Sequence, residues 1–297
     1  MKELIQKYNF KIEAEAADNH LKEIIAKCQS NMNSRSLELC LSCIDLTSLH
    51  TSDTEAFIEE FTNKVNGFKA AWANLPLPAS ICVYPNFAKV VKRTLKEREV
   101  GITTVAGCFP SSQSFLGVKI LETTLAVVNG ATEIDIVLPH NSFLAKDYQK
   151  CKDEICALRK ATEGKKLKVI LESGVFEKEA GSRQEAAELI AEASLLALEC
   201  GADFIKTSTG KQEPAATPFA AYIMCSALKA YQSKTGQRRG FKPAGGISTS
   251  EDAIVYYTIV KELLGEEQLT PQLFRIGASS LANNILSSLK GEKVKYY

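Results

Sequence analysis

The segment GADFIKTSTGK, residues 201–211, has the apolar composition of a buried strand but contains a lysine that such a strand does not explain. Ala202, Phe204 and Ile205 are typical of a strand interior, and Lys206 follows them directly. Burial of an ammonium group is costly unless the group is ion-paired or its pKa falls. Lys206 therefore needs either a structural or a chemical explanation.

Seven other segments have the same short, β-rich character, and amphipathic helical patterns separate them. The eight predicted strands are LELCLSCIDL (37–46), ASICVYP (79–85), ITTVAGCF (102–109), EIDIVLP (133–139), LKVILES (167–173), ADFIKTS (202–208), GFKPAGG (240–246) and LFRIGAS (273–279). The clearest helices are predicted over 181–202, from Thr217 or Pro218 onward, and over 248–265, where serine and threonine cap candidates precede Glu251 and Asp252.

Strands that alternate with helices indicate parallel pairing, in either a closed (β/α)₈ barrel or an open doubly wound sheet. The count of eight favours the barrel, and no G-x-G-x-x-G motif follows the first strand, as a dinucleotide-binding sheet would require. We therefore predict one (β/α)₈ TIM barrel over residues 37–290. An N-terminal helical extension (1–36), with an amphipathic helix and a second one near 21–29, precedes it, and a flexible tail (291–297) follows.

Composition narrows the range of partners. The chain has 297 residues, is 45% hydrophobic and carries a formal net charge of +1. A near-neutral balance argues against a dedicated nucleic-acid binder, and no apolar stretch approaches the ~20 residues of a membrane span. The N-terminus lacks the apolar core of a secretory signal. We expect a soluble cytoplasmic protein with no nucleic-acid or membrane partner.

Cysteine and histidine give no pattern typical of a metal site. The nine cysteines are odd in number and scattered, and no second pair complements Cys40-x-x-Cys43. In a strand, Cys40 and Cys43 would also point to opposite faces. The three histidines are isolated from one another. We therefore interpret the cysteines as small buried side chains in a reducing compartment.

Polar residues in the carboxyl halves of the predicted strands are the first candidates for function, because barrel enzymes bind ligands at that end. They are Asp45, Asp135, Glu172, Lys206 and Lys242. Side chains alternate along a strand, so the apolar neighbours of Asp135, Lys206 and Lys242 can face the helices while these three point inward. Two lysines and an aspartate would then share one crowded cavity.

Two lysines and an aspartate in one cavity are suited to Schiff-base catalysis. A lysine is nucleophilic only when neutral, and both burial and a nearby cation lower its pKa. A neutral amine attacks a carbonyl to form a Schiff base, which withdraws electrons during carbon–carbon cleavage, while a carboxylate such as Asp135 moves protons. The alternative is that Lys206, Lys242 and Asp135 form structural ion pairs that fill the barrel.

Two glycine-rich segments indicate a phosphate site. AGGIS (244–248) and IGASS (276–280) close the last two predicted strands and lead into helices, where exposed backbone N–H groups favour an anion. Phosphate sites in barrels commonly lie at this position. Gly210 and Lys211 follow the sixth strand and can add a donor and a charge. Alternatively, these glycines only permit tight turns. The combination predicts a phosphorylated carbonyl substrate.

With these residues considered together, the chain resembles the deoxyribose-phosphate aldolase family, class I aldolases with a (β/α)₈ fold. The resemblance spans roughly residues 39–281 and does not include the first 36. The segments that carry it are CIDLTSL, ICVYP, GATEIDIVLP, KVILESG, GADFIKTSTGK, GFKPAGGI and FRIGASSL, in this order.

The resemblance implies reversible cleavage of 2-deoxy-D-ribose 5-phosphate to acetaldehyde and D-glyceraldehyde 3-phosphate in deoxyribonucleotide catabolism, with no metal or organic cofactor. It implies that Lys206 is the Schiff-base lysine, Lys242 its pKa-lowering and proton-relay partner, and Asp135 the proton-transfer carboxylate. Asp45 and Thr47 would hold the substrate's hydroxyl region, with Cys82 as a small side chain near the pocket. The implied phosphate-binding residues are Gly210, Lys211, Gly245, Gly246, Gly277, Ser279 and Ser280.

Two further positions bear on function. Ser248 stands where bacterial members often have an arginine, so we expect a weaker preference for phosphorylated over free deoxyribose. The chain ends in KVKYY, and family members can have a mobile tail whose terminal tyrosine assists proton transfer, which makes Tyr297 a candidate. The alternative is a disordered end.

Two other functions remain open at this stage. One is a different Schiff-base aldolase or transaldolase acting on a longer sugar phosphate. The other is a non-catalytic barrel that binds a sugar phosphate as a regulator. The sequence does not specify the oligomeric state, although a homodimer formed through outer helices is compatible with the resemblance.

Overall fold

The computed structural model describes residues 2–297, and at its centre eight parallel strands form a ring. The strands are β1 Ile44–Thr47, β2 Ser80–Val83, β3 Gly101–Ala106, β4 Glu133–Val137, β5 Lys166–Ile170, β6 Phe204–Lys206, β7 Gly240–Lys242 and β8 Ile276–Ala278. From β1 to β7 each strand pairs with the next one in sequence, and β1 also pairs with β8. Backbone hydrogen bonds from Phe241 to Leu273 (2.9 Å) and from Gly277 to Pro243 (2.9 Å) link the β7 and β8 segments. The predicted (β/α)₈ TIM barrel is thus confirmed.

Helices surround this ring on all sides. In chain order they are α1 Lys2–Lys7, α2 Ala14–Ala26, α3 Cys28–Asn31, α4 Ser34–Ser42, α5 Glu55–Ala71, α6 Ala88–Thr94, α7 Leu116–Val128, α8 His140–Leu144, α9 Tyr148–Ala161, α10 Ser173–Glu179, α11 Arg183–Glu199, α12 Pro218–Thr235, α13 Ser250–Leu264 and α14 Leu281–Lys290, with 3₁₀ turns at Pro85–Phe87 and Glu266–Gln268. The side chains of Ser182, Thr217 and Thr249 cap α11, α12 and α13, as serine and threonine do at helix starts. These three helices begin within the ranges predicted for them.

The predicted strand over 37–46 is wrong for its first half. Residues up to Ser42 belong to α4, and only Ile44 onward is a strand. Asn33 caps α4 by accepting a hydrogen bond from the backbone N–H of Ser36. Leu37, Cys40 and Leu41 are buried at the i, i+3, i+4 spacing of a helix face. The alternation of apolar residues in LELCLSC was therefore misleading, and the first barrel strand has only four residues.

The N-terminal segment packs against the outer helices. The amphipathic helix predicted at the N-terminus is in fact two helices, α1 and α2, because the chain leaves the helical conformation between them with Asn9 at φ 49°. Tyr8 and Phe10, in this connection, are buried. Helix α1 contacts α11, and α2 contacts α11, α12 and α13.

Two further observations concern the regions outside the barrel interior. Among residues 2–297, no helix combines the length and apolar character needed to cross a membrane.

All nine cysteines are free, and Cys40 and Cys43 lie at the end of α4 rather than on a strand. Cys43 donates its backbone N–H to the carbonyl of Cys40, at 3.1 Å, as a helix end requires.

Candidate active site

Lys206 and Lys242 meet Asp135 inside the barrel. Oδ2 of Asp135, on β4, accepts hydrogen bonds from Nζ of Lys206, on β6, at 3.0 Å and from Nζ of Lys242, on β7, at 2.8 Å. All three residues are buried, with Lys206 3% exposed and the other two fully enclosed. Because side chains alternate along a strand, Ile205 and Phe241 face the helices while the lysines beside them face the interior.

A third lysine, which the sequence analysis did not single out, completes the coordination of Asp135. Lys168 lies opposite Asp135 in the β4–β5 register, and its Nζ donates to Oδ1 of Asp135 at 2.9 Å. The same Nζ is 2.6 Å from Glu133 Oε2 and 3.1 Å from the hydroxyl of Thr103. The alternation rule that placed Lys206 would also have placed Lys168, whose neighbours Leu167 and Val169 are apolar and buried.

Arg275 is a second charged residue of this site that was not predicted from the sequence. It precedes β8, and its guanidinium holds Glu133 through two parallel hydrogen bonds of 2.8 and 3.0 Å and also donates to Asp45. Such a two-pronged arginine–carboxylate pair is among the stronger ionic contacts in proteins. Together these residues form what we call the buried charge cluster, namely Asp45, Glu133, Asp135, Lys168, Lys206, Lys242 and Arg275.

The buried charge cluster shifts the pKa values of Lys206 and Lys242 in opposite directions. Burial, which disfavours the charged form, and the positive charge of Lys242 together lower the pKa of Lys206, although Asp135 partly opposes them. Burial also acts on Lys242, but there Asp135 and Asp45 outweigh it, and the pKa is raised. The pKa of Asp135 is held well below its usual range because three lysines outweigh its burial. The arrangement thus favours a neutral amine on Lys206 and a charged one on Lys242.

A cavity of about 300 Å³ opens at the carboxyl ends of the strands, and Lys206 forms part of its wall. Its other predicted lining residues are Thr47, Gly210, Lys211, Gly245, Gly246, Ser248, Gly277, Ser279 and Ser280. Six further residues line it that were not predicted individually from the sequence, namely Leu49, His50, Thr209, Ala244, Ile247 and Ala278. Most of the latter lie beside predicted residues on the same loops, so adjacency in sequence was the only available signal.

Close packing explains two of the glycines. Gly245 has φ +87°, and a β-carbon there would lie 2.6 Å from that of Ala215. A β-carbon on Gly277 would lie 2.8 Å from that of Ala244 and 3.1 Å from Cε of Lys242. The distances of 2.6 and 2.8 Å are too short for a real contact, and 3.1 Å is tighter than most. These glycines therefore let the loops approach one another and the lysine side chain closely enough to shape the cavity wall.

The two helices that begin at this cavity have different N-termini. At α13 the cap is occupied, since Thr249 and Asp252 form a capping box and Asp252 also accepts the backbone N–H of Ser248 at 3.0 Å. At α14 the side chain of Ser280 makes no capping hydrogen bond. An anion in the cavity would meet the positive end of α14 next to Ser279 and Ser280.

Asp135 and Lys242 do not line the cavity, and three further sequence-predicted residues, Asp45, Cys82 and Glu172, also lie below or beside it. Asp45 is fully buried and paired with Lys242 and Arg275, and it also accepts the hydroxyl of Ser80 at 2.7 Å. Cys82 is buried against Leu49, and burial raises the pKa of its thiol.

Glu172, the third of these residues, supports a loop of the cavity. It has φ 47° and accepts hydrogen bonds from both the backbone and the hydroxyl of Thr209. Thr209 in turn accepts the backbone N–H of Lys211 at 3.1 Å. Nζ of Lys211 donates to the carbonyl of Leu49 at 2.6 Å, which ties the loop after β6 to the one after β1.

Tyr297 lies away from this cavity. Its ring stacks on Phe68 of α5 with the centroids 5.9 Å apart, and the side chain of Asn283 holds its backbone through hydrogen bonds of 3.0 Å at both the N–H and the C=O. Within the described chain, the Tyr297 hydroxyl is buried and has no hydrogen-bond partner. The structure thus does not bring Tyr297 together with the other predicted site residues.

Comparison with known proteins shows that this chain is similar to aldolases. Residues 39–266 match the family described as DeoC/LacD family aldolase. A Caenorhabditis elegans relative is 40% identical over 266 residues, covering 86% of this chain and 82% of its own. The Bos taurus deoxyribose-phosphate aldolase is 37% identical, covering 82% of this chain and 78% of its own. The solved structure titled "QR15, an Aldolase" superposes with a TM-score of 0.65 at 27% identity, covering 84% of this chain and 96% of that one.

The family match covers most of the chain, including the strands that carry Asp135, Lys206 and Lys242, and the relatives also align over most of it. The cavity lies at the end of the barrel where enzymes of this fold have their active sites. This chain therefore belongs to the DeoC/LacD family of aldolases and is a lyase.

Proposed function

We propose that this aldolase reversibly cleaves 2-deoxy-D-ribose 5-phosphate to acetaldehyde and D-glyceraldehyde 3-phosphate through a Schiff base on Lys206. One observation carries the mechanism. Of the three lysines that contact Asp135, Lys206 is the one that lines the cavity and the one whose pKa is lowered. The substrate is inferred from the activity for which the Bos taurus relative is named.

In the first step the neutral amine of Lys206 adds to the C1 aldehyde. The hydroxyl of the neutral carbinolamine takes up a proton and leaves as water, which gives an iminium ion. Its positive charge replaces the ammonium charge that Lys206 would otherwise carry beside Asp135, 3.0 Å away. Lys242 is protonated in the free enzyme, because two carboxylates raise its pKa. The positive charge of Lys242 therefore disfavours the protonated form of Lys206 in the free enzyme.

In the second step the C2–C3 bond breaks and its electron pair moves into the iminium, which becomes an enamine. The C3 hydroxyl loses its proton through a water to Asp135, and D-glyceraldehyde 3-phosphate leaves. The low pKa of Asp135 means that the proton does not stay on its carboxylate, and the hydrogen-bonded Lys242 provides a route onward. Protonation of the enamine and hydrolysis of the resulting iminium then release acetaldehyde and restore Lys206.

The substrate's two ends would be held by different parts of the cavity. The phosphate would lie at the start of α14 with Ser279, Ser280 and the glycines of the neighbouring loops, because that helix end has no side-chain cap. Thr47 lines the wall of the cavity and would contact the substrate's hydroxyl groups. Asp45 would act indirectly by holding Lys242. We further propose that the reaction serves the breakdown of deoxyribonucleotide sugars.

Borohydride reduction in the presence of acetaldehyde tests the central step. Mass spectrometry of the digested protein is expected to show an ethyl group on the peptide that contains Lys206 and no adduct in Lys206→Ala. Lys211→Ala is the matched control, because that lysine lines the same cavity but does not contact Asp135, and it should be trapped as the wild type is. An adduct on Lys242 instead, or an active Lys206→Ala protein, would contradict the proposal.

A transaldolase or an aldolase for longer sugar phosphates would share the Lys206 chemistry. The donor distinguishes these enzymes, because the proposed reaction uses acetaldehyde, whereas they transfer dihydroxyacetone units. Aldol synthesis with D-glyceraldehyde 3-phosphate and each donor in turn is expected to succeed with acetaldehyde only.

A further inference from the structure

A second cavity opens at the amino ends of the strands, at the opposite end of the barrel from the cavity that Lys206 lines. It has a volume of about 470 Å³, and residues that begin or directly precede β4, β5, β6 and β7 form much of its wall. Among the described residues, none lines both cavities. Its charged lining residues are four cations, Lys165, Lys166, Arg238 and Arg239, and two anions, Glu133 and Asp203.

Glu133 does not neutralise this cavity, because three cations share its carboxylate. Its oxygens are 3.2 Å from Nζ of Lys166 and 2.6 Å from Nζ of Lys168, and they accept the two parallel hydrogen bonds from Arg275. Burial and the positive charges of Arg275 and Lys168 lower the pKa of Lys166, although Glu133 opposes them. An anion beside Lys166 would stabilise its ammonium form.

Asp203 is also shared, and one donor of Arg239 lacks an acceptor. The carboxylate of Asp203 accepts hydrogen bonds from Arg239 at 2.9 Å and from Arg159 at 2.7 Å. Arg239 donates as well to the side chain of Gln237 at 2.9 Å. Its Nε–H, however, is buried and has no hydrogen-bond partner within residues 2–297. Such an unsatisfied donor is costly, and an oxygen atom of a ligand would satisfy it.

The other two cations are accessible from solvent. Lys165 is exposed and makes no ion pair with the described part of the chain. The side chain of Arg238 is 37% exposed and pairs at 2.8 Å with Glu267, which is itself exposed. Exposed ion pairs of this kind are weak, so both side chains are available to an incoming anion.

We propose that the amino-end cavity, defined by Lys165, Lys166, Arg238 and Arg239, binds the phosphate group of a small molecule. An arginine offers paired donors that match phosphate oxygens, and a lysine adds a mobile point charge. A nucleic acid fits less well, because the chain has a net charge of only +1. The amino end of a barrel is not where its chemistry takes place, so the proposal concerns binding and is independent of the aldolase reaction.

NMR spectroscopy tests the proposal, because it observes the two ends of the barrel separately. Inorganic phosphate is titrated into the protein at constant ionic strength, set with sodium chloride, while the backbone amides are followed. Gly164 and Leu273 report on the amino-end cavity, and Gly246 and Ser280 report on the opposite one. The wild type is expected to show saturable shifts at Gly164 and Leu273. Absence of shifts at Gly246 and Ser280 would count against the proposed aldolase substrate and not against this site.

Removal of two exposed charges tests which residues bind the phosphate. The double variant Lys165→Gln with Arg238→Gln should weaken binding at the amino-end amides at least about tenfold and leave the other end unchanged. The matched control is Lys89→Gln with Arg93→Gln, which removes two exposed positive charges from α6 and should bind as the wild type does. Thermal unfolding of each variant confirms that it is folded.

Glycerol 3-phosphate, titrated in the same way, distinguishes two sources of the phosphate group. Tighter binding than that of inorganic phosphate identifies a phosphorylated metabolite whose organic part fills the rest of the cavity, and weaker binding identifies the free ion. Either result supports the site.

Three results would overturn the proposal. They are an absence of saturable shifts at the amino-end amides of the wild type, an unchanged affinity in the double variant, and an equal loss in the control. A single-stranded DNA oligonucleotide that shifts these amides at far lower concentration than phosphate would also overturn it, because the cavity would then belong to a nucleic-acid surface.

Discussion

Lys206 and Lys242 donate hydrogen bonds to the same oxygen atom, Oδ2 of Asp135, from 3.0 and 2.8 Å. Two ammonium groups this close repel each other, and one carboxylate oxygen cannot fully stabilise both. Lys242 has Asp45 as a second anionic partner, whereas Asp135 is the only carboxylate with which Lys206 is paired among the described residues. Of the two amines, Lys206 therefore loses its proton more readily, and it is also the one that reaches the cavity.

Replacement of Lys242 by leucine should shift the pH profile of the reaction. Lys242→Leu removes a positive charge that lowers the pKa of Lys206 and leaves Asp135 free to stabilise its ammonium form. The pKa of Lys206 then rises, so the acidic limb of kcat/KM moves upward by about one pH unit or more, and activity at neutral pH falls. In Lys211→Leu the limb should stay in place. An unchanged limb in Lys242→Leu would show that Lys242 does not tune the nucleophile.

Arg275 should contribute strongly to stability despite its distance from the cavity. Arg275→Met leaves Glu133 and Asp45 buried with fewer cationic partners, and we expect the free energy of unfolding to fall by about 3–5 kcal/mol. Arg93→Met is the control, because its pairs with Glu55 and Glu59 are exposed and such pairs contribute about 0–1 kcal/mol. Urea denaturation measures both. A double variant, Arg275→Met with Glu133→Gln, should recover part of the loss, and no recovery would mean that the effect comes from packing.

The parts of the structure predicted correctly from the sequence are those that depend on local periodicity. The alternation of side chains was sufficient to place Asp135, Lys206 and Lys242 together, because each directly follows a buried apolar residue on a short buried strand. It failed at LELCLSC, where the apolar residues suit a strand and a helix equally and the cap at Asn33 decided the outcome.

The lower part of the buried charge cluster could not be recognised as easily. Lys168 is the second residue of the predicted strand LKVILES and Arg275 precedes β8, so neither lies in the carboxyl half of its predicted segment, although Lys168 is level with Asp135 in the barrel. Their partners come from other strands, so the ion pairs depend on the barrel register and not on local sequence. The position of Tyr297 likewise depends on a contact with Phe68, more than two hundred residues earlier in the chain.

Ser248 should limit the preference of the enzyme for phosphorylated substrates. It lines the cavity beside the loops that would hold phosphate, and its backbone N–H is already bonded to Asp252. Ser248→Arg adds a cation that can pair with the phosphate. We expect the ratio of kcat/KM for 2-deoxy-D-ribose 5-phosphate to that for 2-deoxy-D-ribose to rise about ten- to hundredfold, which corresponds to about 1.5–3 kcal/mol. Ser248→Met tests for an effect of size alone, and an equal rise there would exclude the electrostatic explanation.

Tyr297 can serve in proton transfer only if the tail leaves Phe68. Two features reduce the cost of releasing the tail from Phe68. The buried hydroxyl of Tyr297 has no hydrogen-bond partner in the described chain, and the backbone of Tyr297 is held mainly by Asn283. Burial also raises the pKa of the docked phenol, so it remains a proton donor. Tyr297→Phe should therefore change the free energy of unfolding by no more than about 0.5 kcal/mol.

The same variant should slow the exchange of acetaldehyde methyl protons with D₂O by about tenfold or more, because this exchange passes through the enamine that the tyrosine is predicted to protonate. Asn283→Ala keeps the phenol but loosens the tail, and it should exchange at least as fast as the wild type. NMR spectroscopy measures the rate without the second substrate, which separates the enamine step from carbon–carbon cleavage. If Tyr297→Phe exchanges at the wild-type rate, the enamine takes its proton from within the barrel, and the docked position on Phe68 is the only role of the tail tyrosine.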